Sequence, residues 1–464
     1  MNISSLPKKA KLNTIFGTDG VRGRSGSELT PDLIYELGYW FGKIACKGDN
    51  PILIGQDSRN SSDMFTQFLT AGLTATGREA WLLGLCPTPA VSLLIEKYNL
   101  SGGLMVTASH NPPGDNGIKF FEAGGEKISA ELQDNIANCI FTAEESSLCL
   151  AKTIRTGNSY IRQELLQDYK TELIKSVGEI TLKNFKIVLD LCWGSATSCA
   201  LDIFSSIGAD VVVINGSPNG DRINVGCGST NLKPLTEAVL TNNADVGFAF
   251  DGDADRMLAI DSQGRLIDGD HILYLWGSFL KDKNELNRST LVSTVMSNLG
   301  FEKAWKMKGG NLSRTPVGDQ NVYNEMKNNG IILGGEQSGH ILHKGNNLRG
   351  DGLYTALQLC VLTSRLGLTF NELRSKSFKS FPQKLINVPI SQVVKTQSSW
   401  KRCTQIKEAI RKAEADIGEY GRVLLRPSGT EPLLRVMVEA EDPHLVSSWS
   451  KHLAAIVEEN IEAA

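Results

Sequence analysis

Short β-branched runs that end in turn residues recur along this chain and alternate with helical patterns. Pro51-Ile-Leu-Ile-Gly-Gln-Asp57 is one such run, and a helical pattern follows through Phe65–Thr76. Lys186-Ile-Val-Leu-Asp190 is a second; a helical stretch at Ala196–Ile207 and the run Asp210-Val-Val-Val-Ile214 come after it. Leu291-Val-Ser-Thr-Val295, opening near Ser297-Asn298-Leu299-Gly300, is a third. Strand–helix–strand alternation demands α/β layers with largely parallel sheets. The units are spaced at near domain size and no short period shows, so they read as similar domains and not as a solenoid.

At 464 residues the chain exceeds what one hydrophobic core usually serves. Breaks are expected near Arg155-Thr-Gly-Asn158, around Asp261-Ser-Gln-Gly264 and near Ser375–Ser380. Past the third the pattern changes to a helix through Trp400–Ile417, strands at Arg422–Leu425 and Leu433–Val438, and a closing helix at Pro443–Ile461. That is an α+β pattern. The expectation is three similar mixed α/β domains, 1–156, 157–260 and 261–376, and a C-terminal α+β domain, 377–464.

Composition excludes several classes. Lys+Arg 48 against Asp+Glu 51 leaves a net charge of −3, with no long run of either sign, so neither nucleic acid nor an anionic membrane is indicated as a partner. Nine cysteines include no C-x-x-C pair, so neither a disulfide framework nor a zinc cluster is suggested. The N-terminal stretch MNISSLPKKAKLNTIFG lacks the apolar core of a secretory signal. Apolar stretches such as Trp81–Ile95 are broken by Gly84, Pro87 and Pro89 before they reach membrane-spanning length. A cytosolic, cytoplasmic location follows as the expectation.

The sharpest chemical signal is DVGFAFDGDADRMLAI, residues 245–260, where an apolar run ends in Asp251, Asp253 and Asp255. In an extended segment residues two apart face one side. Three carboxylates held so close repel unless a cation sits among them, and hard oxygen ligands suit Mg²⁺ or Ca²⁺. An EF-hand would need Gly and Glu where Arg256 and Ser262 stand. A haloacid-dehalogenase-type nucleophile would want Thr or Val in place of Asp255. A solvated acidic turn remains the bland reading, but the strand leading in is too apolar for it. Mg²⁺ is expected.

LLRPSGTEPLLRV, residues 424–436, is a loop between two apolar strands. Ser428, Gly429 and Thr430 offer hydroxyls and clustered backbone N–H groups, the makings of an anion nest. Arg426 and Arg435 flank it and favour a phosphate over a plain polar hairpin tip. GGEQSGHI, residues 334–341, gathers Glu336, Gln337, Ser338 and His340 among glycines, which suits a hydroxyl-rich ligand. FGTDGVRG, residues 16–23, places Asp19 and Arg22 in a Gly-rich turn. There is no P-loop, and no G-x-G-x-x-G follows a strand.

TASHNPPGDNGIKFF, residues 107–121, sets Ser109 beside His110 in an exposed loop between strands. Adjacent side chains of an extended chain point apart, and no G-x-S-x-G elbow exists, so a hydrolase serine is not expected. In the company of a Mg²⁺ site, a phosphate loop and a polyol loop, Ser109 reads as a phosphoryl carrier. A phosphoserine brings nearly two negative charges and oxygens able to complete the Mg²⁺ shell.

T-A-S-H-N-P, D-G-D-A-D-R, G-E-Q-S-G-H and R-P-S-G-T-E-P, in this order across essentially the whole chain, resemble the α-D-phosphohexomutases. F-G-T-D-G-V-R-G, Gln337 and C-G-S-T (227–230) are most similar to the members acting on glucosamine phosphates. The resemblance implies four domains around a central cleft and interconversion of sugar 6- and 1-phosphates. The product would feed UDP-N-acetylglucosamine synthesis. It implies a phosphorylated Ser109 bound to one Mg²⁺ with Asp251, Asp253 and Asp255. Arg22, His110, Lys119 and Arg256 would surround the transferring phosphoryl group, Lys119 as proton shuttle. Glu336, Ser338 and His340 would hold sugar hydroxyls; Arg426, Ser428, Gly429, Thr430 and Arg435 would hold the distal phosphate. An activating kinase or a bisphosphate would load Ser109, in a monomer or homodimer. Cys192-Trp193-Gly194-Ser195, Gln320 and Arg349 depart from the family pattern, which bears on sugar preference. Glucose or mannose phosphates are the alternative substrates, and a non-catalytic phosphosugar-binding protein is the alternative of another class.

Overall fold

The computed structural model describes residues 15–17, 19–46, 48–142, 156–183, 185–391, 399–428 and 433–461. It contains two compact units, residues 1–295 with 313–377, and residues 296–312 with 378–464.

In the larger unit the first sheet has seven strands, ordered Phe16–Gly17, Gly20–Arg24, Asp115–Phe121, Gly102–Val106, Ile52–Gln56, Ala80–Leu85 and Ser159–Ile161. The last four run parallel. The strand Gly102–Val106 is buried along its whole length, as a strand covered on both faces should be. The remaining neighbours are antiparallel, so this sheet is mixed and less parallel than the alternation suggests. Antiparallel neighbours need no crossover, and Gly102–Val106 returns through a short loop into Asp115–Phe121. That loop carries Ser109.

The second sheet repeats the device. Asp210–Ile214, Lys186–Asp190 and Val246–Phe250 are parallel neighbours. Val246–Phe250 then turns back into the antiparallel strand Met257–Asp261, and the connection holds the three aspartates. Leu266–Ile267 pairs with Met257–Asp261, so the turn expected to end this domain, 261–264, lies inside its sheet. Likewise Ser159–Ile161, just past the first expected break, extends the first sheet.

A third instance follows: Thr290–Thr294 is parallel to Leu333–Gly335, which turns back into antiparallel Ile341–His343. The connecting turn is residues 336–340. Each of these three loops is therefore the hairpin at the end of a buried parallel strand, fixed at both ends by a ladder. The helix Gly269–Asp282 opens with a reciprocal cap, Asp268 accepting from the His271 backbone, and Gly352–Leu366 opens on Asp351.

The smaller unit has an antiparallel sheet ordered Gln383–Pro389, Leu433–Ala440 and Gly421–Pro427. Helices Thr404–Ile417 and Pro443–Asn460 bury Ile406, Ala413, Leu453 and Val457 in one apolar cluster with Val436 and Val438 of that sheet. Among the described residues, no helix is long and apolar enough to cross a membrane.

Candidate active site

Ser109 has a left-handed backbone, φ 51°, that turns its hydroxyl into the metal loop. Its Oγ donates to Asp251 Oδ2 at 2.7 Å. The same turn brings Oγ to 3.3 Å from His110 Nδ1, so the expectation that the neighbouring side chains point apart fails here. That expectation assumed an extended chain, and the chain is not extended at Ser109.

What holds this turn was missed in the sequence. Arg59, buried, donates through Nη2 to the carbonyls of Ser109 and Asn111, both at 2.9 Å. Through Nη1 it reaches the carbonyls of Pro112 at 2.6 Å and Asp115 at 2.9 Å. Its Nε meets Asp57 Oδ2 at 3.0 Å. Asn224 adds a second clamp on the Ser109 carbonyl at 2.8 Å and the Asn111 carbonyl at 3.1 Å. Thr107 Oγ1 accepts from the Ser109 backbone N–H and donates to Asp57. Backbone carbonyls that a loop turns inward need partners, and here one guanidinium serves four of them.

Asp251, Asp253 and Asp255 are buried, and one ligand atom from each lies within 4.8 Å of the others. The alternation of an extended segment does not produce this. The segment is a turn with Ala254 in the left-handed region, φ 56°. Gly252 is required by closeness, since a Cβ there would sit 2.7 Å from the Ser109 carbonyl oxygen. Burial and the negative charges of Asp255 and Asp253 raise the Asp251 carboxyl well above its usual range. Oδ1 of Asp253 is buried without a hydrogen-bond partner among the described residues. An all-oxygen, charge-crowded set with a lone pair to spare fits a hard divalent cation.

Lys119, almost wholly buried, reaches Asp253 at 2.7 Å, Asp255 at 2.6 Å and Asp19 at 3.3 Å. Against the cost of burial, these carboxylates hold it well above an ordinary lysine, as an ammonium. Asp19 also pairs with Arg22. The Arg256 guanidinium and burial push His110 down to about 3, so its imidazole is neutral near pH 7. Arg256 in turn is held up, against burial, by Asp251 and Asp255.

In the 336–340 turn, Glu336 Oε1 accepts from the Gly318 backbone N–H at 3.1 Å, and Ser338 Oγ lies 3.4 Å from Glu336 Oε2. His340 is buried between Asp255 and Asp319, each 3.5 Å from a ring nitrogen. Burial disfavours its charge, yet the two carboxylates win and raise its pKa. Gln337 donates to Asp268 Oδ2 at 3.3 Å, at the cap of the helix Gly269–Asp282. The sequence alone assigned it no structural task.

In the smaller unit, register makes Arg426 and Arg435 direct cross-strand partners. Like charges so placed repel unless an anion lies between them. Ser428 is buried beside them, its N–H bonded to the Leu433 carbonyl at 2.8 Å. Gly429 and Thr430 lie outside the described residues, as does Cys149; the other eight cysteines are free thiols.

Four stretches of the chain match the phosphoglucomutase/phosphomannomutase domains: alpha/beta/alpha domain I over residues 13–147, domain II over 165–264, domain III over 268–381 and the C-terminal domain over 385–456. The chain belongs to this family of phosphohexomutases and is an isomerase. Its relatives carry a narrower name. "Phosphoglucosamine mutase" of Parasynechococcus marenigrum (strain WH8102) is 54% identical over 97% of this chain and 96% of its own. That of Synechococcus sp. (strain CC9311) is 52% identical over 100% of both chains. Among solved structures, a phosphoglucomutase/phosphomannomutase family protein from Burkholderia thailandensis superposes with a TM-score of 0.77 at 22% identity, covering 96% of this chain and 97% of that one. N-acetylphosphoglucosamine mutase of Aspergillus fumigatus, solved with GlcNAc-6P and magnesium, has the same fold, with a TM-score of 0.67 at 18% identity over 98% and 97% of the two chains.

Proposed function

We propose that this chain interconverts glucosamine 6-phosphate and glucosamine 1-phosphate through a phosphoserine at Ser109. The observation that carries the reading is the Ser109 hydroxyl at 2.7 Å from Asp251, in the mouth of a three-carboxylate cluster. The sugar assignment rests on relatives more than half identical over nearly their whole length.

In the forward direction a sugar hydroxyl attacks the phosphorus of phosphoserine 109. The new O–P bond forms as the Ser109 Oγ–P bond breaks, leaving a sugar bisphosphate. The bisphosphate turns end for end, and Ser109 takes the other phosphoryl group back. Such transfers are chiefly matters of positioning and charge neutralisation. Arg22 and Arg256 supply fixed positive charge. Lys119, an ammonium, gives a proton to the departing oxygen and takes the one the attacking hydroxyl sheds. His110, neutral, is a hydrogen-bond partner and not a second cation. Asp251, Asp253, Asp255 and the phosphoserine would hold one Mg²⁺, which neutralises charge on the transferring group. Glu336, Ser338 and His340 bind sugar hydroxyls. Arg426, Ser428, Gly429, Thr430 and Arg435 bind the phosphate that is not reacting.

Turnover of glucosamine, glucose and mannose phosphates, compared by kcat/KM in a coupled assay, tests the substrate. Faster turnover of glucose or mannose phosphates would replace glucosamine in this reading. Intact mass with phosphopeptide mapping tests the carrier: no phosphate on Ser109 in turning-over enzyme would remove it.

A further inference from the structure

Lys127 and Asp319 complete a closed circuit of contacts against the metal loop. Asp255 Oδ2 meets Lys119 Nζ at 2.6 Å, and Lys119 lies 3.3 Å from Asp19. Asp19 pairs with Lys127, and Lys127 pairs with Asp319. Asp319 Oδ2 is 3.5 Å from His340 Nε2, and His340 Nδ1 is 3.5 Å from Asp255 Oδ1, where the circuit closes. The members come from separate places: the turn at Asp19, strand Asp115–Phe121, the loop after it, the metal loop, the first turn of helix Asp319–Asn329, and the 336–340 hairpin.

A ring differs from a set of pairs. Lys127 has Asp19 on one side and Asp319 on the other, so neutralising it leaves both carboxylates short. Asp255, Lys127, Asp319 and His340 also line a cavity of about 360 Å³. On that side mutual attraction, and not close packing, sets where these side chains point.

We propose that Lys127 and Asp319 are positioning residues of the phosphoryl-transfer site. Asp319 aims His340, and Lys127 aims Asp19, through which Lys119 and Arg22 are aimed. The assignment rests on the mutase reading and deepens it: the run of contacts from Asp19 through Lys127 and Asp319 to His340 keeps the sugar loop and the transfer site in one geometry.

The test is a set of sign-changing variants assayed for kcat and KM, each checked by a circular-dichroism melt. Lys127→Met and Asp319→Asn are each expected to lower kcat by about 10- to 100-fold, the usual effect of losing a group that orients a site residue, with little change in KM. Lys127→Arg and Asp319→Glu keep the sign and are expected to keep most of the turnover. The decisive variant combines Lys127→Asp with Asp319→Lys. It preserves attraction between positions 127 and 319 but sets a like charge against Asp19 and takes the carboxylate away from His340. An isolated ion pair would recover activity in this double variant; a ring would not. Recovery there, native kcat in both neutral variants, or a tenfold loss in folded sign-keeping variants overturns the proposal. Where a neutral variant fails to fold, the sign-keeping and reversed variants still decide. Native protein inactive on every hexose and hexosamine phosphate would overturn the mutase reading itself. Active native protein with unaffected variants overturns the ring alone.

Discussion

Ser109 and Asp251 stand 142 residues apart in the chain and share a hydrogen bond of 2.7 Å between their side chains. Each sits on the hairpin that ends a buried parallel strand, so the meeting is between two fixed points. On the proposed route Ser109→Ala removes the atom that carries the phosphoryl group. It is expected to lower kcat by at least about a thousandfold, as loss of a covalent nucleophile does. The melting curve should stay near the native one, because the clamp on this loop grips carbonyls and not the hydroxyl. Turnover retained in Ser109→Ala would sink the phosphoserine route.

Arg59 is that clamp. Arg59→Met leaves Asp57 buried without its cation and strips four loop carbonyls of a donor. Breaking a buried ion pair from one side typically costs about 3–5 kcal/mol. Urea unfolding of the variant should show a loss of that order, with phosphorylation of Ser109 impaired. A loss below about 1 kcal/mol, the range of an exposed pair, would mean the clamp is not what holds the loop.

Metal affinity can be read without turnover. A ligand that binds only the folded chain stabilises it in proportion to the logarithm of its concentration. Mg²⁺ is therefore expected to raise the thermal midpoint of the native protein stepwise. Asp253→Asn, which removes the carboxylate with the unpartnered oxygen, should abolish that rise. Equal Mg²⁺ shifts in both proteins would place the cation elsewhere.

Asp351 gives a pH dependence of definite sign. It caps helix Gly352–Leu366 through the Tyr354 N–H at 2.9 Å, and the Tyr169 hydroxyl lies 3.1 Å from both its oxygens. Burial pushes its carboxyl up to about 6. Across the acid window its facing groups hold their charge states: Tyr169, Tyr354 and Cys199 are raised and neutral, and Arg349 is lowered only to about 10. The native state therefore keeps a proton that the unfolded chain releases near pH 4. Stability from this group is present below that pH and is lost as pH rises toward 6, by about 3 kcal/mol in all. Asp351→Asn keeps the cap and never charges. Its stability relative to native should climb from pH 4 to 6, measured by urea unfolding at each pH. Parallel curves would rule the assignment out.

How much of this was legible depended on how local the cause was. Lys186–Asp190 and Asp210–Ile214 have the bounds their β-branched runs announce, because the preference for a pleated strand is written into each strand's own residues. The three aspartates were visible as a cluster, but their convergence was credited to strand alternation when a turn at Ala254 produces it. The Ser109–His110 approach was missed for the same reason. Arg59 and Asn224 act on a carbonyl 50 and 115 residues away, and Lys127 meets Asp319 across 192. No local pattern encodes contacts of that range. Gln337 is a motif residue with a second task the sequence does not announce, a bond to a helix cap.

The close approach of Gly252 to the Ser109 carbonyl leaves no slack between the Ser109 loop and the loop that gathers carboxylates. A serine pinned there, with its carbonyl gripped by Arg59 and Asn224, cannot swing out to meet a second hydroxyl. On the proposed route, the reach between the two ends of a hexosamine is then covered by the sugar. The donor is the fixed anvil of the reaction, and the substrate is the workpiece that is turned.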